Sequence, residues 1–318
     1  MNDKKGLKKI TGIENFGIYL IMLAFIVVVI LIVGPDKFLN VKNLTSLVRS
    51  QAVICIIAVA ATLVMITGNI DLSVGWMVGF ASVIAAAHSD NAFLAIVLPI
   101  IACALCGALN GILVGGLKLN AFITTLGTMY VFEGIAYLYG EGKSLSGGAT
   151  NSAILKALGQ SSILFIPTPV WVLAAVAVIF WFILRKTTFG AKIYAVGANK
   201  TAARFSGVSP GKTVFLAYLL TGCAVGLAGS IMYARVMSTQ IYAGSGYEFD
   251  VLSGIVLGGT SVTGGKGNIP GTVLGVIFIG ILGNGFTLMG LSANVQYIAQ
   301  GIILLVAVSA DIMKERRA

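Results

Sequence analysis

Charge is scarce in this chain. Of its 318 residues only 10% are Asp, Glu, Lys or Arg, while 58% are hydrophobic and the mean hydropathy is +0.98. That is too little polar surface to clothe a soluble globule of this length, so the sequence describes an integral membrane protein. Acids are rarer than bases, 11 against 21, for a net charge of +10. Such a balance can signal nucleic acid, but the bases sit at the ends of apolar runs and in one loop, without the interleaved aromatics of a nucleic-acid groove. Orientation in a bilayer explains them better, and lipid rather than nucleic acid is the expected surrounding.

Histidine is almost absent. His88 stands alone beside Asp90 near the end of an apolar run, which offers neither a metal cluster nor a catalytic triad. The four cysteines, Cys55, Cys103, Cys106 and Cys223, all fall within apolar runs, where cysteine acts as a small packing residue. Cys103 and Cys106 form a CxxC without a second pair or a flanking His, so no redox or zinc site is expected. Paired carboxylates and Ser/His arrangements do not converge anywhere, which argues against an enzyme. Nucleotide motifs fail as well. Gly207-Val-Ser-Pro-Gly211-Lys212-Thr213 has one residue too few between its glycines for a phosphate-binding loop, and a Pro inside it. Gly258-Gly-Thr-Ser-Val-Thr-Gly-Gly-Lys266-Gly-Asn268 breaks the spacing too and reads as a flexible hinge. No cofactor is expected.

What the chain has is apolar length. Phe16–Val33 follows Lys4, Lys5, Lys8 and Lys9 but is too long for a signal-peptide core and lacks a small-residue cleavage site before Gly34-Pro35-Asp36, so it is a retained span. Further runs long enough to cross a bilayer lie near 51–67, 92–117, 121–139, 163–184, 213–234, 269–289 and 294–310, with shorter ones near 74–88 and 250–263. The segment 185–212 carries six Lys/Arg and no acid. By the positive-inside rule it belongs in the cytoplasm, with the basic N-terminus and the tail Lys314-Glu-Arg-Arg317. Even span counts between these points require six spans before the loop and four after it, ten in all. The expected fold is an all-α bundle in which 1–318 is one transmembrane domain and 185–212 a loop long enough to form helices that a soluble partner grips.

The two short runs open alike, with Ile70-Asp71-Leu72-Ser73-Val74-Gly75 and Phe249-Asp250-Val251-Leu252-Ser253-Gly254. As third and eighth spans they would run oppositely, which suggests an inverted 5+5 repeat with broken helices meeting at a substrate path. Polar groups inside spans are costly and so mark that path: Asn69, Asp71, Ser73, Glu133, Glu248, Asp250 and Asn284. Asp71 and Asp250 have a plainer reading as caps of the helices that follow, and the amides Asn69, Asn110, Asn284, Gln296 and Gln300 as interhelical glue. Stripes such as Gly107-x3-Gly111-x3-Gly115, Gly222-x3-Gly226, Gly254-x3-Gly258 and Gly271-x3-Gly275 predict close helix contacts, mostly within the chain.

Longer motifs point further. Gly68-Asn-Ile-Asp-Leu-Ser-Val-Gly75, Ala121-Phe-Ile-Thr-Thr-Leu-Gly-Thr128, Ile166-Pro-Thr-Pro-Val-Trp171, Ala195-Val-Gly-Ala-Asn-Lys-Thr-Ala-Ala-Arg204-Phe-Ser-Gly-Val208, and Gly244-Ser-Gly-Tyr-Glu-Phe-Asp250 followed by the 258–267 glycines together resemble the permease subunits of bacterial monosaccharide ABC importers, most closely the ribose type. The resemblance covers nearly the whole chain. It implies a homodimeric pore, or one paired with a similar permease, in the bacterial inner membrane. A cytoplasmic ABC ATPase and an extracytoplasmic sugar-binding protein are the implied partners. It also implies that Asn199, Lys200, Ala202, Ala203, Arg204 and Gly207 form the segment that couples to the ATPase. An autoinducer sugar or a nucleoside remains an alternative cargo. An ion-coupled secondary transporter is the competing class; it would need a buried ion site but no acid-free docking loop.

Overall fold

The helices start where an asparagine can cap an apolar run. The computed structural model describes residues 23–146 and 153–315; the N-terminal lysines, the start of the Phe16–Val33 run and Arg316-Arg317 lie outside them. In chain order, α1 (Leu23–Val33) and the one-turn α2 (Pro35–Phe38) lead to α3 (Val41–Ile66), the short α4 (Val74–Ala87), α5 (Ala92–Gly111) and α6 (Ala121–Tyr139). A π-helical turn carries α5 on to Gly116. Then come α7 (Ala153–Gly159), α8 (Thr168–Lys186), α9 (Thr188–Ala198), α10 (Lys200–Phe205) and α11 (Pro210–Val236). The chain closes with α12 (Tyr247–Leu257), α13 (Ile269–Leu288) and α14 (Ala293–Glu315). Asn40, Asn91, Asn120, Asn199 and Asn268 each accept a hydrogen bond from a first-turn backbone N–H, at the heads of α3, α5, α6, α10 and α13. Capping satisfies donors that an apolar helix cannot satisfy itself.

Among the described residues six helices are long and apolar enough to cross a membrane: α3, α5 with its π turn, α6, α8, α11 and α13. The chain is thus an all-α membrane protein whose only strands, among the described residues, are two two-residue pairings. β1 (Leu145–Ser146) pairs antiparallel with β4 (Ser238–Thr239), and β2 (Ser162–Ile163) with β3 (Ile166–Pro167). Exposed apolar side chains such as Phe122, Ile123 and Leu138 of α6 and Val178, Ile179 and Phe182 of α8 would be untenable in water. They are the surface that hydrocarbon covers. The centre is α3, buried continuously from Ala52 to Ile66, with α4 and the inner faces of α11.

Glycine sets the helix spacing, as the stripes predict. A Cβ at Gly107 would collide with Tyr218 O, one at Gly222 with Cys103 O and one at Gly226 with Pro99 O, so α5 and α11 lie backbone to backbone. Gly254 of α12 and Gly258 just past its end interlock in the same way with Gly275 and Gly271 of α13.

The stretch Gly258–Asn268 is not the free hinge that its composition suggests. Gly265 N donates to Ile66 O (2.8 Å), and Tyr194 Oη donates to Gly267 O (2.8 Å). Its glycines at φ 95° and 75°, Gly264 and Gly265, abut Gly68 and Ala198. Partial burial raises the Tyr194 phenol pKa, which keeps it a donor. The end of α3, the α12–α13 connection and α9 are thereby fastened together at one end of the bundle, the loop end.

Candidate functional site

The polar residues of the interior fall into three places. The first is where two half-length helices meet. At about 1.5 Å per residue α4 is about 21 Å long and α12 about 16 Å, too short to cross about 30 Å of hydrocarbon. Their N-terminal ends face each other: a Cβ at Gly75 would collide with Glu248 Oε2, and one at Gly244 with Gly75 O. The extended segment before α4 exposes backbone groups that buried side chains satisfy, as a bilayer interior demands. Ile70 O accepts from Tyr218 Oη (2.9 Å), and Leu72 N donates to Thr125 Oγ1 (3.2 Å). Asp71 Oδ1 accepts from Ser73 N (3.0 Å) and Ser73 Oγ (2.6 Å), and Asn110 Nδ2 donates to Ser73 Oγ (2.8 Å). Asp71 Oδ2 and Asn110 Oδ1 are buried acceptors with no protein donor among the described residues. Glu248 Oε2 accepts from Gly246 N (3.1 Å) at the head of α12. Asn69, Asp71 and Glu248 line one constriction of about 10 Å³, room for about a single water.

The second place is a polar cavity of about 280 Å³ between α3, α12, α13 and α14. Ile66, at the far end of α3, belongs to the loop end, so the Ser46–Gln51 stretch that lines this cavity lies toward the opposite end. Asp250, Asn284, Gln51, Gln296 and Gln300 face it together with Ser50 and Thr287. Gln300 Nε2 donates to Asp250 Oδ1 (2.9 Å), and Gln296 Nε2 to Thr287 Oγ1 (3.3 Å). Asn43 and Asn284 exchange bonds of 3.1 and 2.9 Å. The lining holds one carboxylate, several amides and hydroxyls, and no Lys or Arg.

Asp71 and Asp250, which head similar sequences, therefore do not share a cavity. Asp71 lines the constriction with Glu248, and Asp250 hydrogen-bonds Gln300 in the polar cavity. Glu133 joins neither place; it is half-buried on α6. Sequence reasoning missed Gln51, Ser46 and Ser50 as cavity walls. The signal was present, because Asn43, Ser46 and Ser50 recur at helical spacing ahead of the run near 51–67.

The third place is the acid-free loop, which folds into α9 and α10. Asn199 Oδ1 caps α10 by accepting from Ala202 N (2.9 Å). Gly207, at φ 79°, ends it: Val208 N reaches Ala203 O (3.0 Å) and Gly207 N reaches Arg204 O (3.1 Å), a Schellman closure that needs a left-handed residue. Ala203 is 4% exposed and packs inward, so it is not free to seat in a partner. Lys200, Ala202 and Arg204 face outward with Phe205, which is 89% exposed.

The family described as "Branched-chain amino acid transport system / permease component" matches residues 43–308. The chain belongs to that family. The permease is 37% identical over 300 residues to the ribose import permease protein RbsC of Escherichia coli strain K12, covering 93% of each chain. It is 39% identical over 290 residues to RbsC of Bacillus subtilis strain 168, covering 90% of each. It is 33% identical over 307 residues to the L-arabinose transport system permease protein AraH of Escherichia coli strain K12, covering 95% of this chain and 92% of that one. No solved structure matches the permease. Membership makes it a multi-pass transport subunit.

Proposed function

We propose that the permease is the membrane subunit of an ATP-binding cassette importer for a ribose-like monosaccharide. Its relatives supply the class, and the cavity between α3, α12, α13 and α14 supplies the chemistry. Amides, hydroxyls and one carboxylate can meet a sugar's many hydroxyls, each both donor and acceptor. An amino acid, which the family description would allow, brings a carboxylate needing a cation that this lining lacks. Asp250, Asn284 and the three glutamines form the outer part of the path, and Asn69, Asp71, Ser73 and Glu248 the constriction beyond it.

In this reading there are ten membrane segments, α1, α3, α4, α5 and α6, then α8, α11, α12, α13 and α14, with both termini and α9–α10 in the cytoplasm. The packing supports an inverted 5+5 repeat: α5 against α11 is matched by α13 against α3, and α4 against α5 by α12 against α13. A cytoplasmic ATPase docks on the outward face of α10, a sugar-binding protein docks at the other end, and two permease copies complete the pore. Proteoliposomes holding the permease with its ATPase and binding protein test the class. Labelled ribose or a related sugar should enter on addition of ATP, and a sodium or proton gradient should not replace it. Gradient-driven uptake without ATP, or uptake of leucine in preference to any sugar or nucleoside, would reverse the reading.

A further inference from the structure

The two exposed cations of α10 also border a groove. Lys200 and Arg204 line a groove of about 910 Å³ that runs between α10, the head of α11 and the turn joining α5 to α6. Lys118, on that turn, closes the opposite side. The other walls are Val114, Leu119, Phe205, Val208, Pro210 and Val214, with Asn69 below, and no acid lines it. At its end Ser209 precedes α11 without a side-chain cap. From the structure we infer that this groove holds the phosphate headgroup of an anionic glycerophospholipid, which bridges the α5–α6 turn to α10.

Three observations support a bound anion, and the second of them favours a lipid. The three cations come from two separate segments, so one phosphate between them relieves their mutual repulsion and draws the turn and α10 together. The groove is continuous with hydrocarbon-facing surface, since Leu109, Ile112, Leu117, Leu119 and Phe122 beside it are all exposed, and acyl chains would lie there. Lys118 also adopts φ 59° at the close of the π turn, where glycine is the low-strain choice. That outlier makes Lys118 the residue to vary.

The test is native mass spectrometry of the purified permease in detergent, offered phosphatidylglycerol and phosphatidylcholine together. Wild type should retain phosphatidylglycerol selectively. Lys118→Gln and Lys118→Gly should each weaken that retention about fivefold, and Lys118→Arg should preserve it. Glycine suits the left-handed backbone, so Lys118→Gly separates loss of charge from loss of fold. Excess inorganic phosphate should leave the lipid in place. Equal retention by wild type and Lys118→Gln would overturn the proposal. So would displacement by inorganic phosphate, which would make this a free-anion site. So would a Lys118 amine that stays reactive in phosphatidylglycerol and becomes shielded only on adding the ATPase, which would make the groove a protein seat.

Discussion

Asp71 shows how one carboxylate can brace the turn before α4 and still keep an unengaged oxygen for the proposed path. Its Oδ1 is engaged by Ser73, while Oδ2 is buried without a protein donor beside Glu248. Asp71→Asn keeps an acceptor for Ser73, so the folded yield should hold while uptake per folded molecule falls. Asp71→Ala removes both bonds and should also cost about 1–3 kcal/mol of stability, the price of a stranded buried donor. Normal uptake by Asp71→Asn, measured per folded molecule, would leave Asp71 a brace for Ser73 and nothing more. At α10 the roles divide differently from the sequence expectation. Asn199 and Gly207 shape the helix, Ala203 anchors it inward, and Lys200, Ala202, Arg204 and Phe205 present it. Gly207→Ala should cost about 1 kcal/mol locally and loosen the ATPase complex in co-purification, with the melting of the spans unchanged. Phe205→Ala should weaken that complex with α10 intact, as circular dichroism and protease protection can report.

Helices meet here through glycine, and the consequence is sharp. Gly222→Val would drive a side chain into Cys103 O on α5, and overpacking of this kind costs at least about 1–3 kcal/mol. Gly127 on α6 has nothing within 4 Å of an added Cβ, so Gly127→Ala should be neutral or stabilising by about 0.5–1 kcal/mol. Thermal melting of the two variants in detergent checks the contrast, and equal melting points would refute backbone-to-backbone packing at α5–α11. Element boundaries were legible wherever an apolar run met an asparagine, as at 92–117, 121–139 and 269–289. The run near 51–67 began ten residues late because the first turns of α3 are polar, and they are polar because they line the cavity. The run near 250–263 started late because α12 opens on the polar pair Tyr247-Glu248, and it overran the helix end at Leu257, beyond which the glycines serve close approach to Gly68 and Ala198. Which acids would share a cavity was not legible at all. That depends on the face of α12 each occupies: Glu248 looks toward α4, Asp250 toward α14.

At the scale of the whole molecule, orientation and drive are joined. On the proposed orientation the loop end faces the ATPase and the Asp250–Asn284 cavity the opposite solution. On a cysteine-free background Tyr242→Cys and Val41→Cys, both exposed, should react with an impermeant thiol reagent in intact cells, and Thr201→Cys should not. Tyr242 is the position to label, because its neighbour Ile241 is buried. Reactivity confined to Thr201→Cys would invert the molecule. The most direct measurement is ATP hydrolysis in nanodiscs by the permease–ATPase complex, with and without sugar-loaded binding protein, for wild type and Arg204→Glu. Stimulation by the loaded binding protein in wild type, lost in Arg204→Glu while its spans melt normally, is the expected result; equal stimulation in both would contradict the account.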